Sequence, residues 1–327
     1  VIPFLTPEPA APSGGHVYNA RIAAGLGLHE VVLPGRWPER DQSARMELAS
    51  GLAVRPPGSR VLIDGLVACG QPDVIVPQAE RLKITVLVHL PLTDETGADP
   101  RLEARERETL HAVHAVIATS ECTARDLVRR HGIPARRVHI AVPGTEPAPL
   151  APGTDGRGEL LCVASLTPRK GHELLLDALA QVPELDWRCT CVGPGNPGHL
   201  REIAARAGIA DRVWFTGPLT GTALTRRYAA ADLFVLASHA ETFGMALTEA
   251  IARGIPVLAT AAGAVPGTVG TAGLLVEPRD PAAFASALRL WFVEEALRVR
   301  LRKAARERRT ILGTWEETIR CIAGVLE

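Results

Sequence analysis

What the chain lacks narrows its class first. Neither charge is in excess: 36 Lys and Arg balance 36 Asp and Glu across 327 residues. A general nucleic-acid binder needs a basic surplus, so that class is set aside. No apolar run approaches the ~20 residues of a membrane-spanning helix. No leader-like pattern opens the sequence, and a cytoplasmic location is the expectation. Paired Cys-x-x-Cys spacings are missing as well. The six cysteines, Cys69, Cys122, Cys162, Cys189, Cys191 and Cys321, are scattered. They read as buried free thiols in a reducing compartment rather than a zinc ligand set. Cys189 and Cys191 alternate along an expected strand and therefore share one face. Lysine is scarce, with Lys83, Lys170 and Lys303 the three instances. The arginine bias, with abundant Ala, Gly and Pro, suggests a GC-rich bacterial coding sequence. No Asp-x-Asp cluster flanks a strand, which fits a site without metal.

What is present is organised around residues 241–249. An apolar run at 232–238 reads as a buried parallel strand, and residues 246–253 read as a helix. Gly254 stops that helix, and a strand resumes over 255–260. The stretch thus sits at a strand-to-helix turn at the carboxyl end of a parallel sheet, where such sheets bind ligands. Gly244 permits close approach to the backbone. The N–H groups of Phe243, Gly244 and Met245 open the helix that continues through Ala246, and they suit an anion. Glu241 and Glu249 bracket the turn, and a carboxylate is a good acceptor for paired hydroxyls. The bland alternative is two solvated glutamates.

The rest of the chain repeats the strand–helix alternation. Expected strands at 1–5, 30–33, 60–65, 84–90, 115–120 and 138–142 fill the first half. Those at 160–166, 187–192, 212–219, 232–238, 255–260 and 272–276 fill the second. This alternation predicts an α/β protein with doubly wound parallel sheets, and the length suffices for two domains. Residues 147–158 are dense in Pro and Gly and read as an interdomain linker. Gly14 and Gly15 follow the first strand and open a helix, a turn signal that alone says little. His89 ends the fourth strand and points toward the ligand edge, or is a structural histidine. The acidic loop 94–99 reads as solvated or as an acceptor contact. His111 and His114 read as helix surface. Arg169 and Lys170 end a strand and place two positive charges over the same edge, as a departing diphosphate requires when no metal is present. Residues 294–309 are basic and read as a solvated helix face, with anionic lipid the sharper alternative.

Glu-x7-Glu with Phe-Gly inside resembles the nucleotide-sugar site of family 4 retaining glycosyltransferases of the GT-B fold. Arg169-Lys170-Gly171 and the Phe-x-Gly-x-Leu run ending at Leu219 match the same family. The resemblance is most specific over 160–276. It implies two Rossmann-like domains facing a central cleft: 1–150 on the acceptor side, 151–311 binding the donor. The terminal helix, about 312–327, packs back on the first domain. By this resemblance Gly14 and Gly15 face the diphosphate and the acceptor, with His16 beside them. His89 contacts the donor sugar, and Thr119 and Ser120 match a serine-bearing strand end on the acceptor side. Glycine turns at Gly193 and Gly263, and the backbone near Leu219, lie against the donor.

The implied activity is transfer of a sugar, with retention, from a nucleotide-diphospho-sugar to a hydroxyl of a small-molecule acceptor. A UDP-sugar is favoured and GDP-mannose is possible. His89, Arg169, Lys170 and Glu241 are the expected catalytic groups. Phe243, Gly244, Met245, Ala246 and Glu249 are expected against the donor, with Glu249 on its ribose. No cofactor beyond the co-substrate, no metal and no nucleic-acid partner are expected, and a membrane-surface role is possible but not favoured. The alternatives are a glycolipid-forming transferase at the membrane surface, a nucleotide-sugar epimerase on the same fold, and a nucleotide-sugar-binding protein without turnover.

Overall fold

The computed structural model describes residues 1–9, 13–39, 41–94, 99–154 and 157–327. The chain divides into two compact units, Val1–Gly144 with Gly313–Glu327, and Thr145–Leu312. Each holds a six-stranded, wholly parallel sheet.

The first unit runs β1 (Pro3–Pro7), α1 (Gly14–Leu26), β2 (His29–Leu33), α2 (Gln42–Ala53) and β3 (Arg60–Asp64). It continues through α3 (Gly65–Cys69), α4 (Pro72–Ala79), β4 (Lys83–Val88), α5 (Pro100–Ala112), β5 (Ala115–Ala118), α6 (Glu121–His131) and β6 (Val138–Ile140). The strand order is β2-β1-β3-β4-β5-β6, so the winding reverses between β1 and β3. β4 and β5 are apolar and buried almost throughout, as strands covered on both faces must be. The short helices α3 and α4 lie in a stretch that had no helical expectation. Asp64 caps α3 with its carboxylate, and Pro72 opens α4.

The second unit runs β7 (Glu159–Val163), α7 (His172–Ala180), β8 (Arg188–Val192), α8 (Gly198–Arg206), β9 (Val213–Phe215), α9 (Gly221–Ala230) and β10 (Leu233–Leu236). It ends with α10 (Met245–Ala252), β11 (Val257–Thr260), α11 (Val265–Val269), β12 (Gly273–Val276), α12 (Pro281–Val293) and α13 (Glu295–Arg308). Its order is β12-β11-β10-β7-β8-β9, with the reversal between β7 and β10. The last helix, α14 (Trp315–Leu326), belongs to the first unit. A capping box starts it: Thr314 Oγ1 accepts from Glu317 N, and Glu317 Oε2 accepts from Thr314 N. Trp315, Thr318, Ile322 and Leu326 form its buried stripe. Trp315 meets Tyr18 of α1 edge-on, with ring centroids 5.7 Å apart.

The Pro- and Gly-rich stretch expected as a linker is tied down wherever it is described; Asp155 and Gly156 lie outside the described residues. Ala151 N donates to Arg253 O, and Gly153 N to Ala229 O. Asp232, buried at the start of β10, accepts from Thr154 N, Thr154 Oγ1 and Glu159 N. The two compact units divide at Gly144–Thr145, a few residues before the expected 150, and Ala151, Gly153 and Thr154 bond within the second unit. Of the acidic loop, residues 95–98 lie outside the described residues. Asp94 pairs with Arg130, and Asp99 caps α5.

Part of the basic segment is tied internally, while Arg300, Lys303 and Arg306 stay on the exposed face of the helix. Arg298 donates to the carbonyls of Trp291 and Phe292, and Arg308 to those of Gly267 and Thr268. Arg309 donates to Ala148 O, and Arg302 lies over the Trp291 ring. Guanidinium forks suit such carbonyl clusters.

Ile322 is fully buried. Replacing it with alanine should cost about 2–5 kcal/mol of stability, read from urea unfolding of the full chain. A loss under about 1 kcal/mol would contradict the packing of α14.

Candidate functional site

The carboxyl edge of the second sheet, at its winding reversal, collects the charged groups. β7 leads to a short 3-10 turn, Pro168–Lys170, and then directly into α7. Gly171 makes this junction possible. Its φ is 65°, and a Cβ there would lie 1.9 Å from Ala237 O. The close approach lets His239 N donate to Arg169 O, and the Arg169 guanidinium donate to Ala240 O. The Nε of Arg169 is buried with no partner among the described residues.

Lys170 Nζ donates to Glu241 Oε1 at 2.5 Å. Ser238, fully buried, donates its hydroxyl to the same oxygen at 2.9 Å. The lysine side chain is 17% exposed and the glutamate 5%, so the pair is largely withdrawn from water. The main chain of Glu241 is clamped in turn. Ala264 N donates to Glu241 O, and Gly263 sits so close that a Cβ would lie 2.2 Å from that carbonyl. Thr268 of α11 donates to Phe243 O at 2.7 Å. Gly244 then caps α10 in a left-handed conformation, and no side chain caps either α10 or α7. Two helix N-termini at one sheet edge are therefore open toward an anion. Met245 and Ala246 form the first turn of α10.

Glu249 lies farther along α10. Tyr228 of α9 donates to its Oε2 at 2.8 Å, and burial pushes its carboxyl above the usual range. Tyr228 is fully buried, stacked on Phe234, with Arg253 4.5 Å over its ring. Gly193, just past the end of β8, donates its N–H to Gly217 O, and Leu219 packs against the core of the unit.

In the first unit the reversal between β1 and β3 gathers a second set. His89 Nε2 is 2.7 Å from Asn19 Oδ1, and Asn19 Nδ2 donates to Asp64 Oδ2 at 2.9 Å. Because Asp64 accepts from the amide NH2, the amide oxygen faces His89, so His89 carries its proton on Nε2. Burial lowers its pKa, with Asp64 opposing that shift. The imidazole is thus neutral near neutral pH, held edge-on to Tyr18. Gly15 lies against the His89 ring: a Cβ there would come no closer than 3.5 Å to it. His16 Nδ1 is bonded to Ser13 Oγ, which also caps α1. Thr119 is buried, and Ser120 caps α6 by accepting from Thr123 N, so its hydroxyl already has a structural use. The sequence-named residues fall into two groups, one at the edge of each sheet. Sequence reasoning missed Asn19, Asp64, Tyr228, Ser238 and Thr268, none of which carries a local motif.

Residues 152–308 match the family model of glycosyl transferases group 1. Through that segment the chain belongs to glycosyl transferases group 1. A relative described as D-inositol 3-phosphate glycosyltransferase, from Geodermatophilus obscurus, is 33% identical over 251 residues, covering 68% of this chain and 55% of the relative. The chain spans about half the length of the curated relatives it matches. Among solved structures, sucrose-phosphate synthase from Thermosynechococcus elongatus superposes with a TM-score of 0.82 at 21% identity, over 99% of this chain and 98% of that one. HepE from Anabaena, in complex with UDP and glucose, gives 0.81 at 18% identity, over 100% and 99%. The fold of this group 1 chain is accordingly GT-B.

Burial raises the folded-state pKa of Glu249 above its unfolded value, so the folded chain holds that proton more tightly. Its favourable contribution is present at acidic pH and is lost as pH rises above the ordinary carboxylate range. Glu249→Gln keeps an acceptor for Tyr228 and removes the charge. The variant should melt above the parent at pH 8.5, with the gap narrowing by pH 5.5. A variant that melts lower at pH 8.5 would contradict the dominance of burial.

Proposed function

We propose that the protein is a retaining glycosyltransferase that moves a sugar from a nucleotide-diphospho-sugar, a UDP-sugar first, to a hydroxyl of a small-molecule acceptor. One observation carries the reading. Arg169, Lys170, two uncapped helix N-termini and the carboxylates of Glu241 and Glu249 meet at the winding reversal of the unit that matches the family.

Each group has a task in this reading. The diphosphate lies on the N-termini of α7 and α10, with Arg169 and Lys170 neutralising charge as the sugar C1–oxygen bond breaks. Lys170 turns from Glu241 toward the diphosphate. Glu241 accepts from sugar hydroxyls, and Glu249, oriented by Tyr228, accepts from the ribose. His89, neutral and oriented through Asn19 and Asp64, serves the first unit's side, with Gly15 leaving the space beside its ring clear. The acceptor oxygen attacks from the face the leaving group vacates, and a phosphate oxygen takes its proton. The curated relatives' name makes an inositol phosphate the first acceptor to try. A small acceptor is put before a glycolipid because Arg298, Arg308 and Arg309 of the basic segment spend their guanidinium groups on internal carbonyls.

Lys170→Ala should lower kcat/KM about 10²–10³-fold, the usual cost of one charge-stabilising donor. It also strands the buried Glu241 charge, so the melting temperature falls. Lys170→Ala combined with Glu241→Gln should recover the melting temperature and leave turnover low. Recovered turnover would remove Lys170 from the diphosphate.

A thermal-shift panel of UDP, GDP, ADP and TDP tests the donor directly. A nucleotide at ~100 times its Kd stabilises the folded chain by about 2.7 kcal/mol. No shift with any of them contradicts the donor site. NMR of the product's anomeric centre checks retention, and an inverted product overturns it.

A further inference from the structure

A second cluster lies inside the second unit, beneath the Arg169–Gly171 turn. Cys162 of β7 and Cys191 of β8 are register partners on adjacent strands. His172, the first residue of α7, packs over them. The ligand atoms of these three residues all lie within 4.8 Å of one another. Cys162 Sγ is 3.8 Å from His172 Nε2, and Cys189 Sγ is 4.0 Å from Cys191 Sγ. None of the four side chains is more than 4% exposed. The Nδ1 of His172 is also buried and has no partner among the described residues, so no other bond holds the ring away from the sulfurs.

We propose that Cys162, Cys191 and His172 bind a thiophilic divalent cation, zinc, as its three protein ligands. The distances suit such an ion. Tetrahedral zinc with Zn–S of about 2.3 Å and Zn–N of about 2.0 Å separates its ligand atoms by roughly 3.5–3.8 Å. Cys162 and His172 are already at that separation, and the three ligand atoms, all within 4.8 Å of one another, need to draw in by about 1 Å at most. Charge favours it too. Two thiolates and a neutral imidazole cancel a dication, so the assembly enters the core without a net charge to desolvate. Binding replaces the S–H bonds of Cys162 and Cys191 with S–Zn bonds and releases both protons to solvent. A site this enclosed fills as the unit folds, when its ligands are still reachable. Because Lys170 and Gly171 directly precede His172, the ion would anchor the turn that carries the basic pair.

The test uses the full chain and the metal alone. Protein from zinc-supplemented growth is assayed for metal by mass spectrometry, and metal-free protein is refolded with Co²⁺. The expected result is one ion per chain, with a thiolate-to-cobalt charge-transfer band and intense tetrahedral visible bands. Cys162→Ser and Cys191→Ser should lose both, whereas Cys321→Ser, at an exposed cysteine, should keep them. Trace metal with no charge-transfer band in the unsubstituted chain overturns the proposal, independently of how the serine variants fold. So does a cobalt spectrum that survives Cys162→Ser.

Discussion

The ion pair between Lys170 and Glu241 is the constraint on which the second unit's ligand edge depends. An ammonium and a carboxylate largely removed from water are costly unless each is fully answered. Here one carboxylate oxygen takes both the ammonium and the Ser238 hydroxyl. The pair joins the segment after β7 to the segment after β10, the two strands between which the winding reverses. Both backbones are held at contact distance by glycines that no larger residue could replace without displacing a carbonyl. The preorganisation is therefore mainly a backbone property. The turns that carry the charges sit where neighbouring carbonyls and N–H groups hold them, a fixed backbone suited to stabilising charge that develops during reaction.

The first unit solves a similar problem with neutral groups. Asp64 caps α3 and fixes the Asn19 amide, and the amide fixes the His89 tautomer. A three-residue relay of this kind orients an imidazole without leaving it charged. It also explains why the histidine tolerates burial, since a neutral ring with its N–H satisfied costs little to enclose.

Much of this was legible in the sequence, for identifiable reasons. Parallel strands buried on both faces are continuous apolar runs, and the helices between them end at glycines such as Gly27, Gly132 and Gly254. Glu241, Glu249, Arg169 and Lys170 follow strand ends, where local pattern and position coincide. What was not legible depends on residues far apart in the chain. Tyr228 reaches Glu249 across 21 residues and Asn19 reaches Asp64 across 45, and neither tyrosine nor asparagine announces such a contact. The five-residue helices α3 and α11 are too short to print a period. The stretch 147–154 misled because Pro and Gly mark the absence of helix and strand, not the absence of hydrogen bonds. Asp232 supplies those bonds from a strand more than seventy residues later. Arg298, Arg308 and Arg309 misled similarly, because a composition cannot show which carbonyls a guanidinium will find.

The order of the units along the chain has a further consequence. The second unit is one uninterrupted segment, Thr145–Leu312, whereas the first is assembled from two, with α14 joining it from the far end. During synthesis the second unit can close as soon as its own residues emerge. The first must wait with the face of α1 that receives Trp315 still bare, for as long as the ribosome takes to make the intervening 168 residues. Of the two units, the one begun first is thus completed second, and its α1 face stays uncovered through that interval.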